Sequence, residues 1–156
     1  MRRADRAVTD MDEILDIVRR CEVCTLALKD AQYPYALPMS FGEAVRQGAL
    51  ILYFHCAPEG KKLDLMRADA RVAFEMHTRV QFVPAEAACN ATMRYESACG
   101  TGILRMAEAQ ESEQALRAIM RHYMPGAQRF DFEARAVAAA RMLRLDVQTI
   151  TAKRHR

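Results

Sequence analysis

The chain has 156 residues, 51% of them hydrophobic and 28% charged, with a formal net charge of +3. That length suits one domain with a proper core, burying roughly 70% of the surface the unfolded chain exposes. The composition excludes disorder as the main state, the small charge excludes any demand for a nucleic-acid partner, and no apolar run approaches the ~18 residues that would span a bilayer.

Thr9 or Asp10 can cap a first helix, with Asp12 and Glu13 in its opening turn. Met11, Ile14, Leu15 and Val18 follow at helical spacing, and Arg19 and Arg20 suit its end. Residues 23–28 are rich in strand formers. Residues 29–32 read as a turn, and 33–41 as extended, with Pro34 and Pro38 marking an irregular or edge strand. A second turn within 42–48 and a third strand at 49–55 would complete a three-stranded antiparallel meander over residues 23–55.

Residues 57–60 form a loop and 61–68 a short helix. A strand is expected at 71–77, with 80–84 continuing it or forming the next, then a loop at 85–92. Residues 93–108 form a long strand whose Gly100 and Gly102 predict a bulge or sharp bend. Leu116, Ile119, Met120 and Tyr123 share one face of a helix over 111–123, stopped by Pro125-Gly126. A second helix is expected at 130–140 and a final alternating strand at 141–151. Antiparallel strands with interspersed helices make this an α+β barrel, with no glycine-rich dinucleotide loop after a strand.

Five cysteines cannot all pair within the chain, and a domain of this size needs no staples. They read as thiols in a reducing cytoplasm. Cys21 and Cys24 have redox-motif spacing but follow a helix and enter a strand; Cys89 and Cys99 lie ten apart, not at zinc-ribbon spacing. No metal is expected, and Cys21 and Cys24 read as small apolar residues. Arg2 and Arg3 are followed by no apolar stretch, so no working signal peptide is read.

Three clusters carry potential chemistry. In the first, a strand ends at His55 and Cys56, a loop holds Gly60, and Lys61 and Lys62 open a helix; a helix start with lysines suits a phosphate. Taken alone, it is equally a solvated turn with surface lysines, and His55 a structural histidine. In the second, Pro34 and Pro38 leave an edge incompletely paired, and its remaining backbone groups can face a planar ring; it is otherwise a strand protected against aggregation. The third, Arg94, Tyr95, Glu96 and Ser97, is otherwise a solvent-facing strand end. Arg2, Arg3, Arg6 and the basic tail raise a nucleic-acid reading, but the aromatics cluster near prolines instead of interleaving with basic residues.

Taken in order, residues 33–42, 52–66, 93–106 and 143–154 resemble the FMN-binding split-barrel, pyridoxamine 5′-phosphate oxidase-like superfamily, and within it the nitroimidazole-resistance branch. The resemblance covers nearly the whole chain, and its most specific piece is Tyr53-Phe54-His55 followed by Gly60-Lys61-Lys62. It implies a single split-barrel domain of about six to seven mostly antiparallel, Greek-key strands with flanking helices. It also implies a homodimer with FMN (FAD as the lesser candidate) at the interface and a small-molecule substrate. By position, Leu37, Pro38, Met39 and Ser40 would run beside the flavin ring. His55 and Cys56 would lie at the ring and its ribityl side, Lys61 and Lys62 at the phosphate, and Ser97 with Tyr95 would complete the site. His55 is the catalytic candidate, as proton donor or orienter of a small acid in nitro-group reduction. The chain has no tryptophan and its tail is too short to supply the arginine-rich substrate segment, so true pyridoxamine 5′-phosphate oxidase activity is set aside. A flavin-binding stress or sensor protein without turnover is the alternative.

Overall fold

The computed structural model describes residues 3–139 and 141–156. Eight strands form one antiparallel sheet: β1 (Ala7–Val8), β2 (Cys24–Leu28), β3 (Tyr35–Met39), β4 (Phe41–Arg46), β5 (Ala49–Cys56), β6 (Arg71–Val83), β7 (Thr92–Met106) and β8 (Arg141–His155). Its order is β3-β2-β6-β7-β8-β5-β4, with β1 added beside β8. The helices are α1 (Met11–Arg20), α2 (Lys61–Ala68), α3 (Ser112–Tyr123) and α4 (Ala134–Ala139). The expected α+β split barrel is the fold observed.

The meander over 23–55 is not formed. β2 pairs with β3 and β4 with β5, but β3 and β4 stand at opposite ends of the strand order. The chain passes from one sheet edge to the other through Ser40 alone. Following the registers outward from Ser40 shows why this is possible. One route, through β2, β6 and β7, arrives at Lys153 of β8; the other, through β5, arrives at Met142 of the same strand. That offset of eleven residues along β8 is the stagger a tilted, closed barrel requires.

The turn expected within 42–48 shrinks to Gln47-Gly48. Both have positive φ (51° and 79°), the two-residue hairpin turn whose twist matches its strands. Gly42 is instead a strand residue against which α3 rests. A Cβ there would overlap the backbone of Ala118 and Ile119. This moves the buried face of α3 off the large residues and onto Ala115 and Ala118, which pack on Ile51, Tyr53 and Met142. Leu116 and Ile119 are only partly buried and Tyr123 is exposed. The Tyr123 hydroxyl donates to the Glu22 carbonyl at 2.6 Å and accepts from the Phe41 amide at 3.1 Å. His122 beside it bridges Glu43 and the Cys21 carbonyl, at 2.8 and 2.7 Å.

The barrel interior is apolar: Leu26 and Leu28, Phe74 and Met76, Leu143 and Leu145, Leu52 and Phe54, and Phe41 meet there. α1, capped by the Asp10 carboxylate accepting from the Glu13 amide at 3.0 Å, adds Ile14, Leu15, Ile17 and Val18. α2 adds Leu63 and Met66 near the opposite end of β6.

Residues 80–84 continue β6 to Val83 across an irregularity between Thr78 and Gln81. The bulge predicted at Gly100 and Gly102 lies between Thr101 and Gly102; at Gly100 a side chain would overlap the Thr149 carbonyl and the Phe74 ring. β8 runs four residues past its expected end, because β1 and the start of β7 pair with residues 152–155. α4 begins at Ala134, not at residue 130: Phe132 is held beneath the Arg117 guanidinium, 5.4 Å from the ring centroid, before the helix starts. Its expected last residue, Ala140, lies outside the described residues, as does Arg2 of the basic N-terminal group. Cys21 sits at the corner after α1 and Cys24 opens β2; both are buried, and burial pushes the Cys21 thiol up to about 12 and that of Cys24 higher still. No described helix is long and apolar enough to cross a membrane.

Candidate functional site

β5 alternates faces. Leu50, Leu52, Phe54 and Cys56 point into the barrel core, while Ile51 and Tyr53 lie under α3. His55 is on the outer face with Ile51 and Tyr53, but past the cover of α3, and is exposed. One step beyond the Phe41–Phe54 pair places Ser40 level with His55. The barrel closure that separates β3 from β4 therefore delivers His55 to the corner where β3 ends.

β3 is the edge strand its prolines indicated. One side pairs with β2 from Met39 to Tyr35, and the other leads the strand order. Its side chains divide: Ala36, Pro38 and Ser40 face outward, while Leu37 packs on the core and Met39 belongs to it. Leu37 and Met39 thus offer an external ligand their backbone, and Pro38 and Ser40 their side chains. Cys56 likewise points inward. Its thiol is pushed up by burial, more than Lys62 and Arg141 draw it down.

The loop after β5 turns into α2 at Gly60, whose φ of 136° lies where side-chain-bearing residues are rarely found. A Cβ there would meet nothing, so the approach is open. No side chain caps α2; the first helical bonds are those of the Leu63 and Asp64 amides to the Gly60 carbonyl. The amides of Lys61 and Lys62 are thus free of helical partners and aligned with the helix dipole, an arrangement suited to a dianion. The two lysines differ. The Lys61 ammonium is tied to Asp30 at 2.6 Å and sits over the Tyr35 ring at 5.1 Å, joining α2 to the foot of β3. That pairing raises Lys61 and lowers Asp30. Lys62 makes no ion pair among the described residues.

Tyr95 and Ser97 are elsewhere. Ser97 pairs with Lys153 and Tyr95 with His155, whereas His55 pairs with Met142. Followed through the registers from Ser40, which is level with His55, Ser97 lies three strands away, about 15 Å across the sheet at ~4.8 Å per strand, with β2 and β6 between. The structure sets His55 at the Ser40 end of β3 and Lys61 at its Tyr35 end, and leaves Tyr95 and Ser97 beyond β2 and β6.

Between Tyr95 and Ser97 stands a residue whose position in the sequence suits a solvent-facing strand end. Glu96 is 4% exposed. Its Oε2 accepts from Arg20 at 3.0 and 2.8 Å, and its Oε1 from Arg154 at 2.7 Å. Burial pushes its carboxyl up, but hydrogen bonds from Arg154 and Arg20 outweigh that and hold it below its ordinary value. The only signal in the sequence was a glutamate in a long strand, since its partners lie 76 and 58 residues away.

The family model described as pyridoxamine 5′-phosphate oxidase matches residues 10–154. No curated protein sequence gives a significant match. Among solved structures, a candidate 5-nitroimidazole antibiotic resistance protein from Bacteroides thetaiotaomicron is 28% identical, with a TM-score of 0.78 over 94% of this chain and 85% of that one. An FAD- and haem-binding protein from Mycobacterium smegmatis is 22% identical, with a TM-score of 0.80 over 96% and 73%. A flavocytochrome from Azotobacter vinelandii is 16% identical, with a TM-score of 0.80 over 100% and 72%. These last two share the fold. With nearly its whole length matched, the chain belongs to the pyridoxamine 5′-phosphate oxidase-like split-barrel family, in its nitroimidazole-resistance-like branch.

Proposed function

We propose that the protein is a flavoprotein that binds FMN between two copies of the chain and reduces small nitroaromatic or related molecules. The observation that carries this reading is the free edge of β3. It runs from the exposed His55 at its Ser40 end to the uncapped start of α2, tied through Lys61 to Tyr35 at the other, within a family whose structural neighbours include flavin-binding proteins.

The donor set fits the cofactor. The free amides of Lys61 and Lys62 and the Lys62 ammonium suit its phosphate. The outer edge of β3, from Leu37 to Ser40, offers backbone groups to its ring. Lys61 serves the phosphate at the cost of its hold on Asp30, so Lys62 contributes more of the grip. The cofactor supplies the electron transfer; His55 stands at the corner to give a proton to, or orient, an acidic oxygen of the substrate. Tyr95 and Ser97 enter from a second copy. Within one chain β2 and β6 stand between them and the free edge of β3, and a two-fold axis would set one protomer's Ser97 beside its partner's β3 edge.

The purified protein is expected to be yellow, to release FMN on denaturation and to sediment as a dimer. Anaerobic addition of NAD(P)H or another donor should bleach it, and a nitroimidazole should restore the colour. Flavin that binds but neither bleaches nor reoxidises would leave a carrier or sensor; a colourless protein that takes up no added flavin would overturn the reading.

A further inference from the structure

At the other end of β8, β6 contains a bulge. Thr78 pairs with Glu96 and Gln81 with Arg94, so Arg79 and Val80 together oppose Tyr95. Arg79 has φ 54°, the left-handed conformation for which this type of bulge favours glycine. The sequence holds an arginine there instead. Its guanidinium reaches toward Glu96 at 3.8 Å yet stays largely exposed. Strain of this kind persists where the surroundings use it.

The bulge forms one wall of a cleft of about 470 Å³, in the size range of small-molecule sites. Arg20, Arg79, Arg94, Arg154 and Arg156 line it against two carboxylates, Asp16 and Glu96. Both carboxylates are already engaged: Arg20 binds Asp16 and Glu96, and Arg154 binds Glu96 and, at 2.6 Å, Glu13. Arg94 and Arg156 have no acidic partner among the described residues. Thr78 pins the rim by donating to the Arg20 carbonyl at 3.0 Å. Tyr95 and His155 form an edge-on pair with centroids 6.1 Å apart, and His155 Nδ1 donates to the Met93 carbonyl at 2.6 Å, which fixes its ring.

We propose that this cleft binds a phosphorylated small molecule of nucleotide size. Guanidinium forks grip phosphate oxygens in pairs, and the fixed aromatic pair gives a planar base a surface to pack against. A purely structural salt-bridge cluster would need Arg20 and Arg154 alone; crowding three further arginines into a concave surface costs mutual repulsion unless an anion enters. Tyr95 is the one lining residue this cleft shares with the flavin site proposed above; its arginines stand at the end of β6 opposite the lysines of α2.

Calorimetric titration of the whole protein with AMP, inorganic pyrophosphate and inorganic phosphate tests this. AMP and pyrophosphate are expected to bind, with AMP tighter than phosphate. Arg79→Gly and Arg94→Gln should each weaken both by about tenfold or more, while Lys62→Gln leaves them unchanged. Glycine suits the bulge, so Arg79→Gly should keep or raise the melting temperature, separating lost recognition from lost folding. If FAD uptake also falls in Arg79→Gly while FMN uptake does not, the nucleotide is the adenylate half of a dinucleotide; if only AMP binding falls, it is a free nucleotide. Absence of binding to the unaltered protein, or losses confined to Lys62→Gln, would overturn the proposal.

Discussion

Two corners of this barrel concentrate cations, and they are built on opposite plans. At the α2 corner the charges are adjacent in sequence: Lys61 and Lys62 open one helix behind Gly60. Lysines on flexible stems are held there by little, one by Asp30 and the other by no ion pair among the described residues. At the Glu96 corner the charges come from α1, β6, β7 and β8, and a single buried carboxylate organises them. A corner of the first kind is visible in the sequence and adaptable in the fold. One of the second kind is invisible in the sequence and fixed by packing, so its loss should be felt as stability before it is felt as binding.

The sharpest break in this comparison is His55→Ala. His55 is exposed and packs on nothing that the core needs, so flavin content and melting temperature should hold. Nitroaromatic turnover should fall by about 10²–10⁴-fold, equivalent to about 3–5 kcal/mol of barrier. Flavin absorbance read beside single-turnover reoxidation checks both halves. A variant with full flavin and an unchanged rate would remove His55 from the chemistry.

Glu96→Ala should act the other way. It leaves Arg20 and Arg154 facing each other with only Asp16 and Glu13 to share, at a cost of about 3 kcal/mol and roughly 6–12 °C in melting temperature. Because the folded-state pKa of Glu96 is lowered, its stabilisation is present above the ordinary carboxylate value of 4.5. It is lost as the pH falls through the lower folded value. Melting curves between neutral and acid pH should therefore converge for the parent and the variant at the acid end.

Lys62→Ala should weaken FMN binding by about 1.5–3 kcal/mol with no change in melting temperature of the flavin-free protein. Lys61→Ala should weaken it less, because Asp30 already holds that ammonium. Equal losses from the two would mean that Asp30 releases Lys61 without penalty. The smallest effect should be that of Arg79→Gly on folding: a gain of about 1 kcal/mol and a few degrees, as the left-handed strain is relieved.

Much of the candidate site was legible because it is local. His55, Gly60, Lys61 and Lys62 fall within eight residues, and strand, loop and helix start follow from their types and spacing. The edge character of β3 was legible from Pro34 and Pro38. What was not legible is which way the edge side chains point. Leu37, Met39 and Cys56 turn into the core, because alternation assigns two faces without naming the buried one. Nor did spacing reveal the role of Glu96, whose partners come from distant elements.

The sequence by itself determined the elements: an amphipathic α1 behind Asp10, a glycine-marked bend in β7, an alternating β8, and an α+β antiparallel order that family resemblance extended to a split barrel. These are short-range matters of periodicity, caps and turn residues. The tertiary structure alone decided that β3 and β4, joined through one residue, lie at opposite ends of the sheet, and that α3 buries alanines against Gly42 in place of its larger face. It also decided that β2 and β6 stand between Ser97 and the free edge of β3. Strand partners are chosen by stagger and closure of the whole barrel, a global condition that no window of sequence contains.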